Sequence, residues 1–394
     1  MRTVVFALLV IGNCLHAQAP RATEERAGFV TTLGRDTVAL ESFTRTNTRL
    51  DGDIVIRIPG TVRIHYAIEL TGRGIANSVM ELTPFDVASV APRRIALTVR
   101  GDSAELVIDS AGVHRKQMVS AGELSPVLMT GFGASYGLYS SLGMYELLFS
   151  RSSVRGSGTT AREPTISISS GVSQYQLLRS NDRSAVDVDY FGMGWTHVAL
   201  GERGEIVSVD ARETTEQTRS RRTEAMDIER LVKDFAEKDR SGQRLGMASP
   251  NEIVRTSVGS AAAVISFGSP RTRGREILGA VVPYDKVWRT GANAASVLKI
   301  DHDVTIGGTK VPAGSYSLWT LPTANGATLI INSAHGQWGT DYDASKDFAR
   351  IPMTVTTSET PLEKFSIGIL AGTNGGQVLR IMWDHFEWSV PIAS

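Results

Sequence analysis

The feature that most constrains this chain is a strict period of two in hydrophobicity, recurring in short runs. From Val62 to Leu70 the apolar residues Val62, Ile64, Tyr66, Ile68 and Leu70 alternate with Arg63, His65, Ala67 and Glu69. Successive side chains of a strand point to opposite faces, so such a run buries one face and wets the other. Ile95, Leu97 and Val99 repeat the pattern, as do Ile166 with Ile168, and Val186, Val188 and Tyr190. Turn signals separate the runs: Asp51-Gly52, Pro59-Gly60, Thr71-Gly72, Gly101-Asp102 and Ala111-Gly112. Hairpins joined in this way predict an antiparallel meander from about Ala27 to Asp210.

Two segments break that rhythm. After Ser125-Pro126 the stretch from Val127 to Phe149 is apolar and small, with Leu138, Leu142, Tyr145 and Phe149 at helical spacing. Its glycines, Gly131, Gly133, Gly137 and Gly143, each weaken a free helix by about 1 kcal/mol relative to Ala, and suit a helix lying close against a sheet. The expected shape, a curved antiparallel sheet packed on one helix, resembles the half-barrels of periplasmic lipoprotein carriers. Lipid carriage is therefore one reading of this half. From Arg219 to Arg240, Ala225, Ile228, Val232 and Phe235 recur at three- and four-residue steps among charges, which predicts a surface amphipathic helix. Arg221-Arg222 then belongs to a solvated face, and the polar run Ser241 to Arg244 marks a boundary.

A length of 394 residues favours two or three domains. The expected division is a β-rich N-terminal domain over 20–215, the charged helix and linker over 216–248, and a second domain over 249–394. In that last part the strand candidates are Ala263 to Phe267, Ser296 to Ile300, Val304 to Ile306, Ser315 to Thr320, Thr328 to Asn332, Met353 to Thr357, Phe365 to Leu370 and Val378 to Trp383. Phe386, Trp388 and Val390 alternate in a final strand. Many short strands with closely spaced turns predict a mainly β fold ending in an antiparallel β-sandwich or jelly roll.

Hydrophobic content of 42% with 21% charged residues is globular composition, and a formal net charge of zero offers no field for nucleic acid or an acidic membrane surface. Arg2, the apolar run Val4 to Ile11 and the small-residue site Ala17-Gln18-Ala19 read as a signal peptide over residues 1–19, implying export to the periplasm or beyond. That run is too short to span a bilayer, and no later run reaches the roughly 20 residues a span needs. The single cysteine, Cys14, lies inside the leader, and Asn13 before it argues against a lipid anchor. After cleavage the chain would hold no disulfide and no cysteine nucleophile.

The densest run of committed residues is Ser269 to Trp319. It carries Arg271, Arg273 and Arg275 at alternate positions, Pro283-Tyr284, Trp288-Arg289-Thr290-Gly291-Ala292-Asn293 and Pro312-Ala313-Gly314-Ser315-Tyr316. A second block runs from Gly336 through Gln337, Trp338, Gly339, Thr340, Asp341 and Tyr342 to Asp343. On these blocks, and over nearly all of the C-terminal domain, the chain resembles the domain of unknown function 2911, a family of secreted bacterial proteins. The resemblance implies a secreted location and names no activity. The family usually places a glutamate after the asparagine, where this chain has Ala294; a carboxylate that did chemistry there in relatives is missing here.

The candidate ligand-binding residues are Arg271, Arg273, Arg275, Tyr284, Trp288, Arg289, Asn293, Trp338, Asp341 and Tyr342. Arginines spaced by two share a face in an extended segment and could grip a carboxylate or phosphate. The alternative is that they stack on Trp288, Trp338 and Tyr342 or pair with Asp341 and Asp343, holding loops together. Aromatics beside carboxylates and an amide suit a sugar-binding face as well as a rigid corner. A calcium loop through Asp341, Asp343 and Asp347 fails, because Lys346 stands where the glycine belongs and Pro352 where the bidentate glutamate would be.

Catalytic motifs match by letter only. Gly133-Ala134-Ser135-Tyr136-Gly137 fits a nucleophile elbow but lacks the alternating strand–helix context that motif needs. Ser296 and Lys299 match S-x-x-K, yet in a strand their odd spacing puts them on opposite faces. Gly101-Asp102-Ser103 sits at a hairpin turn. His65, His114, His197, His302, His335 and His385 are scattered, without the close spacing of a zinc helix. No glycine-rich phosphate loop or haem-type cysteine pair is present, so the expectation is no catalytic residue, metal or cofactor. The sequence reads as an exported, non-catalytic binding or envelope-associated protein whose ligand is a small molecule, glycan or anion. A hydrolase acting on an envelope ester or glycan is the rival class.

Overall fold

In the computed structural model the described residues are 24–394 apart from 72–73, 86, 88–89, 121–128, 131–140, 152–159, 168–170, 181–183, 191–194, 215 and 373–374. The alternation seen in the sequence becomes a 15-stranded sheet. Its first half is a meander of β1 (Glu25–Leu33), β2 (Asp36–Arg45), β3 (Arg49–Ile56), β4 (Val62–Thr71), β5 (Gly74–Pro84), β6 (Arg93–Arg100), β7 (Ser103–Ser110) and β8 (Val113–Ser120). The second half comprises β9 (Met129–Thr130), β10 (Thr160–Ser167), β11 (Gly171–Arg179), β12 (Ala185–Tyr190), β13 (Trp195–Leu200), β14 (Ile206–Asp210) and β15 (Thr218–Thr223). The halves join where β15 runs antiparallel beside β1, Phe29 opposite Arg222, so that β8 and β9 form the two outer edges. β9 and β10 pair in parallel over two residues; the other described pairings are antiparallel. On β4 all five apolar residues of the alternating run are buried.

The sheet is covered on both faces near β2 and β3. Helix α1 (Leu142–Arg151) lies on one face, where Met144, Leu147 and Phe149 join the core of Phe29, Phe43, Ile54, Ile64 and Tyr66. Helix α2 (Ile228–Arg240) lies on the other, where Ile228, Val232 and Phe235 close over Leu40 and Val55. The expected helix over Val127–Phe149 is shorter than its pattern: Met129–Thr130 is strand, 131–140 lies outside the described residues, and α1 begins at Leu142. Its start is set by polar groups. Ser141 Oγ accepts the Met144 N–H at 3.0 Å, and Glu41 on β2 accepts the N–H groups of Leu142 at 2.8 Å and Gly143 at 3.4 Å. A Cβ at Gly143 would stand 3.3 Å from Phe43 and the Tyr66 hydroxyl, so this glycine does serve close approach to the sheet.

A closed ring of charges clamps α1. Glu146 bonds Arg45 at 2.7 Å and also pairs with Arg222, while Glu25 bonds Arg222 at 2.6 Å and also pairs with Arg45. Two carboxylates and two guanidiniums leave no net charge, and the Ile206 N–H adds a bond to Glu146 at 2.9 Å. Burial would otherwise be costly for each ion, so a ring in which every member has two opposite partners is what lets the helix carry a buried glutamate. This corrects the expected helix over Arg219–Arg240. Thr218–Thr223 is strand β15, Arg222 points into the ring, and α2 starts at Ile228 behind its cap Asp227, whose side chain accepts the Arg230 N–H at 3.0 Å.

The second sheet has nine strands: β16 (Asn251–Val258), β17 (Ala261–Gly268), β18 (Ala292–Ile300), β19 (Val304–Ile306), β20 (Thr309–Val311), β21 (Gly314–Thr323), β22 (Gly326–Asn332), β23 (Asp347–Ala371) and β24 (Gln377–Ala393). Their order is β16-β17-β18-β21-β22-β23-β24-β19-β20. The strand candidates at Met353 and Phe365 are one strand, β23, and those at Val378 and Phe386 are one strand, β24; their pairing shifts register around Leu362. The chain after β17 lies along β23, with Thr272 N–H to Glu363 O at 2.8 Å and Phe365 N–H to Pro270 O at 2.9 Å. The sheet thereby wraps one core, centred on Trp288, which stacks on Trp383 (6.3 Å between ring centres) and meets Phe365 edge-on at 5.3 Å. β16 escapes sequence reading because only Val258 is buried on this edge strand, so it carries no apolar alternation.

Candidate functional site

The structure divides the ten candidate residues into three groups. The first is a seam between the two sheets. Arg273 has a left-handed backbone (φ 50°), followed by Gly274 at φ 71°. The segment Arg271–Arg275 is thus a turn, not extended chain, and its arginines do not share one face. Arg273 is 3% exposed and its guanidinium pairs with Asp36 on β2 and reaches Leu245 O at 3.4 Å. The β1–β2 hairpin docks here: Arg35 N–H donates to Arg273 O at 2.8 Å. Gly34 (φ 59°) is required at the tip, since a Cβ would sit 2.3 Å from that same carbonyl. Arg275 donates to Thr272 O at 3.0 Å and Arg271 O at 2.6 Å. Burial, then the like charge of Arg273, pushes it down to about 10. Arg271 is exposed and bridges to Lys364. Arg273 through its terminal nitrogens and Arg275 through Nε and a terminal nitrogen therefore donate to the protein itself, while the Arg273 Nε is buried without a partner. Asp36 and Gly34 went unnoticed in sequence because their partners lie more than 230 residues away.

The second group is internal or locally engaged. Trp288 is buried in the aromatic core and trades backbone hydrogen bonds with Thr320 at 2.8 and 2.9 Å. Tyr342 packs on Trp319 at 4.9 Å, donates to Asp347 at 2.6 Å and accepts from Arg350 at 2.8 Å; burial and the Asp347 carboxylate push its hydroxyl up to about 12. Of the aspartates of the rejected calcium loop, Asp343 caps a turn at Ser345 and Asp347 is occupied by Asn332, Tyr342 and Arg350. No group of three or more His, Cys, Asp or Glu among the described residues is placed to hold a metal ion. Tyr284 is exposed at 39%, resting near Gly279.

The third group is the candidate site. Residues 337–339 run antiparallel to 293–295: Gly339 N–H donates to Asn293 O at 3.0 Å, Ala295 N–H to Gln337 O at 3.2 Å, and Trp338 faces Ala294. The approach to this ribbon is backbone-strained, with left-handed Thr290 (φ 52°) and Asn293 (φ 65°) on either side of Gly291 (φ 149°). The Asn293 side chain donates to Ser249 O at 3.2 Å. Across the ribbon lies the stem of Arg289. A Cβ on Gly339 would stand 1.9 Å from Arg289 Cδ, so the missing side chain is the space the arginine uses.

Arg289 differs from the seam arginines in its charge pairing: Arg273 pairs with Asp36 and Arg275 lies in the field of Glu363, whereas no carboxylate of the described residues acts on Arg289. Its Nε, like that of Arg273, is buried and donates to no acceptor. Burial alone pushes its guanidinium down to about 10, with no neighbouring charge contributing. It remains a cation at neutral pH. Asp341 stays at the rim, exposed, its N–H bonded to Trp338 O at 3.0 Å. Trp338 is 38% exposed.

Catalytic arrangements are not assembled among the described residues. Ser296 is buried and bonded to Thr290 O, whereas Lys299 of the same strand is exposed, on the opposite face. The elbow around Ser135 lies outside the described residues. His65, His114, His197 and His302 each face a carboxylate, but no serine or threonine hydroxyl bonds to a histidine among the described residues. Ser141 instead donates to Glu41, a fully enclosed carboxylate that also receives the Tyr66 hydroxyl at 2.6 Å. No helix among the described residues is long and apolar enough to cross a membrane.

No curated protein and no solved structure matches this chain. The strained ribbon, Arg289 and the arginines of the seam, though not their partners Asp36 and Leu245, fall within residues 249–392, the C-terminal part of the chain that matches the family described as protein of unknown function (DUF2911).

Proposed function

We propose that this is an exported, non-catalytic binding protein whose C-terminal domain takes an anionic ligand at Arg289. One observation carries the reading: a half-buried guanidinium, still charged at neutral pH, that the described residues supply with neither a counter-charge nor an acceptor for Nε. Buried cations in folded proteins are paired, and a site that leaves one unpaired is organised to receive its partner from outside. The rigid ribbon of 337–339 on 293–295 presents the cation, and exposed Trp338 and Asp341 flank the ribbon as further contact residues. Export is supported by the leader pattern of Arg2, Val4 to Ile11 and Ala17-Gln18-Ala19. The arginine seam gives the N-terminal sheet a place in this scheme, as the body on which the binding domain is fixed.

The test is a thermal-shift screen of the purified full chain against anions, sugars and lipids. A ligand that favours the native state raises the melting temperature. The expected result is stabilisation by an anionic member that disappears in Arg289→Ala, with Trp338→Ala weakening binding while leaving a cooperative melt. Equal stabilisation of wild type and Arg289→Ala would remove the site from consideration.

A further inference from the structure

The two sheets fold around separate cores. No hydrophobic cluster of the described residues draws on both: one gathers residues from Ala27 to Val209 with Leu245 and Ala248 packed against it, and another gathers residues from Val254 to Ile392. The smaller cluster under α2 stays within the first half, and the one around Trp319 within the second. Two bodies that share no apolar core are free to move against each other unless something else fastens them.

What fastens them is polar and gathers at one point. The tip of the β1–β2 hairpin sits on the Arg271–Arg275 turn. There the Arg35 N–H donates to Arg273 O at 2.8 Å, and the Arg273 guanidinium pairs with Asp36 and donates to Leu245 O at 3.4 Å. Arg35 also faces Glu363 at 3.8 Å, and Glu363 holds the turn itself through the Arg273 N–H at 3.1 Å and the Thr272 hydroxyl. The contact is tight, since a Cβ at Gly34 would lie 2.3 Å from the Arg273 carbonyl.

The covalent crossing is as narrow. Leu245 and Ala248 pack on the first core. Directly after them, Ser249 O accepts the Asn293 amide at 3.2 Å and Pro250 O accepts the Ser269 N–H at 2.8 Å, both within the second domain. The chain therefore changes bodies at the Ala248–Ser249 peptide, and the family match begins at the same residue, 249. Just before it, Gly246 has a left-handed backbone (φ 69°) with no neighbour within 4 Å of where a Cβ would stand, and Met247 is exposed.

We propose that these two crossings are a latch and a hinge. The Gly34–Asp36 tip on the Arg273 turn is the latch, residues 246–249 are the hinge, and the C-terminal domain turns as a rigid body when the latch opens. Opening uncovers no apolar core. It also hydrates Arg273 and Asp36 as it parts them, so the pair is exchanged for solvent and neither ion is left buried and bare. Such an opening is sub-global: it costs less than unfolding either sheet.

The experiment is small-angle X-ray scattering of the full chain beside hydrogen exchange of the β3–β4 and β21–β22 ladders, which report on the two cores. Gly34→Asn is the first variant. Asn is at ease in a left-handed turn, so the hairpin keeps its tip, but its Cβ cannot coexist with the Arg273 carbonyl. Arg273→Asp is the second; it keeps a residue suited to φ 50° and sets a like charge against Asp36. Both are expected to raise the radius of gyration and the maximum dimension over wild type while both ladders keep their protection. Adding Asp36→Arg to Arg273→Asp should restore the compact form, because the pair is remade with its charges exchanged. Wild-type scattering from both variants would overturn the proposal. So would loss of protection in either ladder in step with the expansion, which would show latch and cores to be one cooperative unit. If one variant does not fold, the other decides.

Discussion

Replacing Arg289 with methionine should make the ligand-free protein more stable. Methionine keeps the apolar stem that lies over Gly339 and removes the charge. The guanidinium falls from the ordinary arginine value of 12.5 to about 10 through burial alone. At about 1.4 kcal/mol per unit, its charged form is disfavoured in the fold by roughly 3 kcal/mol. Because the side chain is only half-buried, solvent relieves part of that, and a net gain of about 1–2 kcal/mol is expected. Urea unfolding followed by tryptophan emission is the suitable assay, since Trp288, Trp319, Trp338, Trp383 and Trp388 all lie in the C-terminal domain and Trp195 alone outside it. The pH dependence has a definite sign. The folded value lies below the unfolded one, so the penalty is constant at neutral pH, and the wild type gains on the variant only as pH rises toward 10 and above. A loss of 1 kcal/mol or more in Arg289→Met would refute the reasoning, because it would show the guanidinium stabilising the fold and therefore already partnered.

Arg273 should behave in the opposite way. Asp36→Ala leaves it buried and unpaired and should cost about 2–4 kcal/mol, whereas Asp36→Ala combined with Arg273→Met should recover most of that, a non-additivity measurable in a double-mutant cycle. Trp288→Ala should cost about 3–5 kcal/mol by opening a cavity in the aromatic core, while Trp338→Ala should stay within about 0.5 kcal/mol, a contrast that chemical denaturation resolves directly. In the N-terminal sheet, burial holds Glu41 above the ordinary 4.5 against the hydrogen bonds of Ser141, Tyr66, Leu142 and Gly143. Its raised folded value contributes stability that is full below 4.5 and lost as pH rises through that value. Melting curves across this range should therefore show a decline in the wild type that Glu41→Gln lacks; parallel curves would contradict it.

Local periodicity determines a good deal of this protein. Alternation on Val62–Leu70 and its repeats dictates strands, and glycine-bearing turns between them dictate antiparallel pairing, because both signals act within a few residues of chain. The same locality misled at Arg219–Arg240. Three- and four-residue spacing marked a helix correctly from Ile228 onward, but β15 exists through its pairing with β1, nearly 200 residues earlier. Of the candidate site, the sequence supplied the residue types and the structure supplied their company. Arg273 and Arg289 are indistinguishable as letters in one arginine-rich run. Asp36 from a distant hairpin neutralises the first, and a glycine at position 339 lets the second pass over a ribbon where no described carboxylate meets it. Which cation is satisfied depends on groups brought together only when the sheets close, and charge pairing, unlike strand alternation, has no period along the chain.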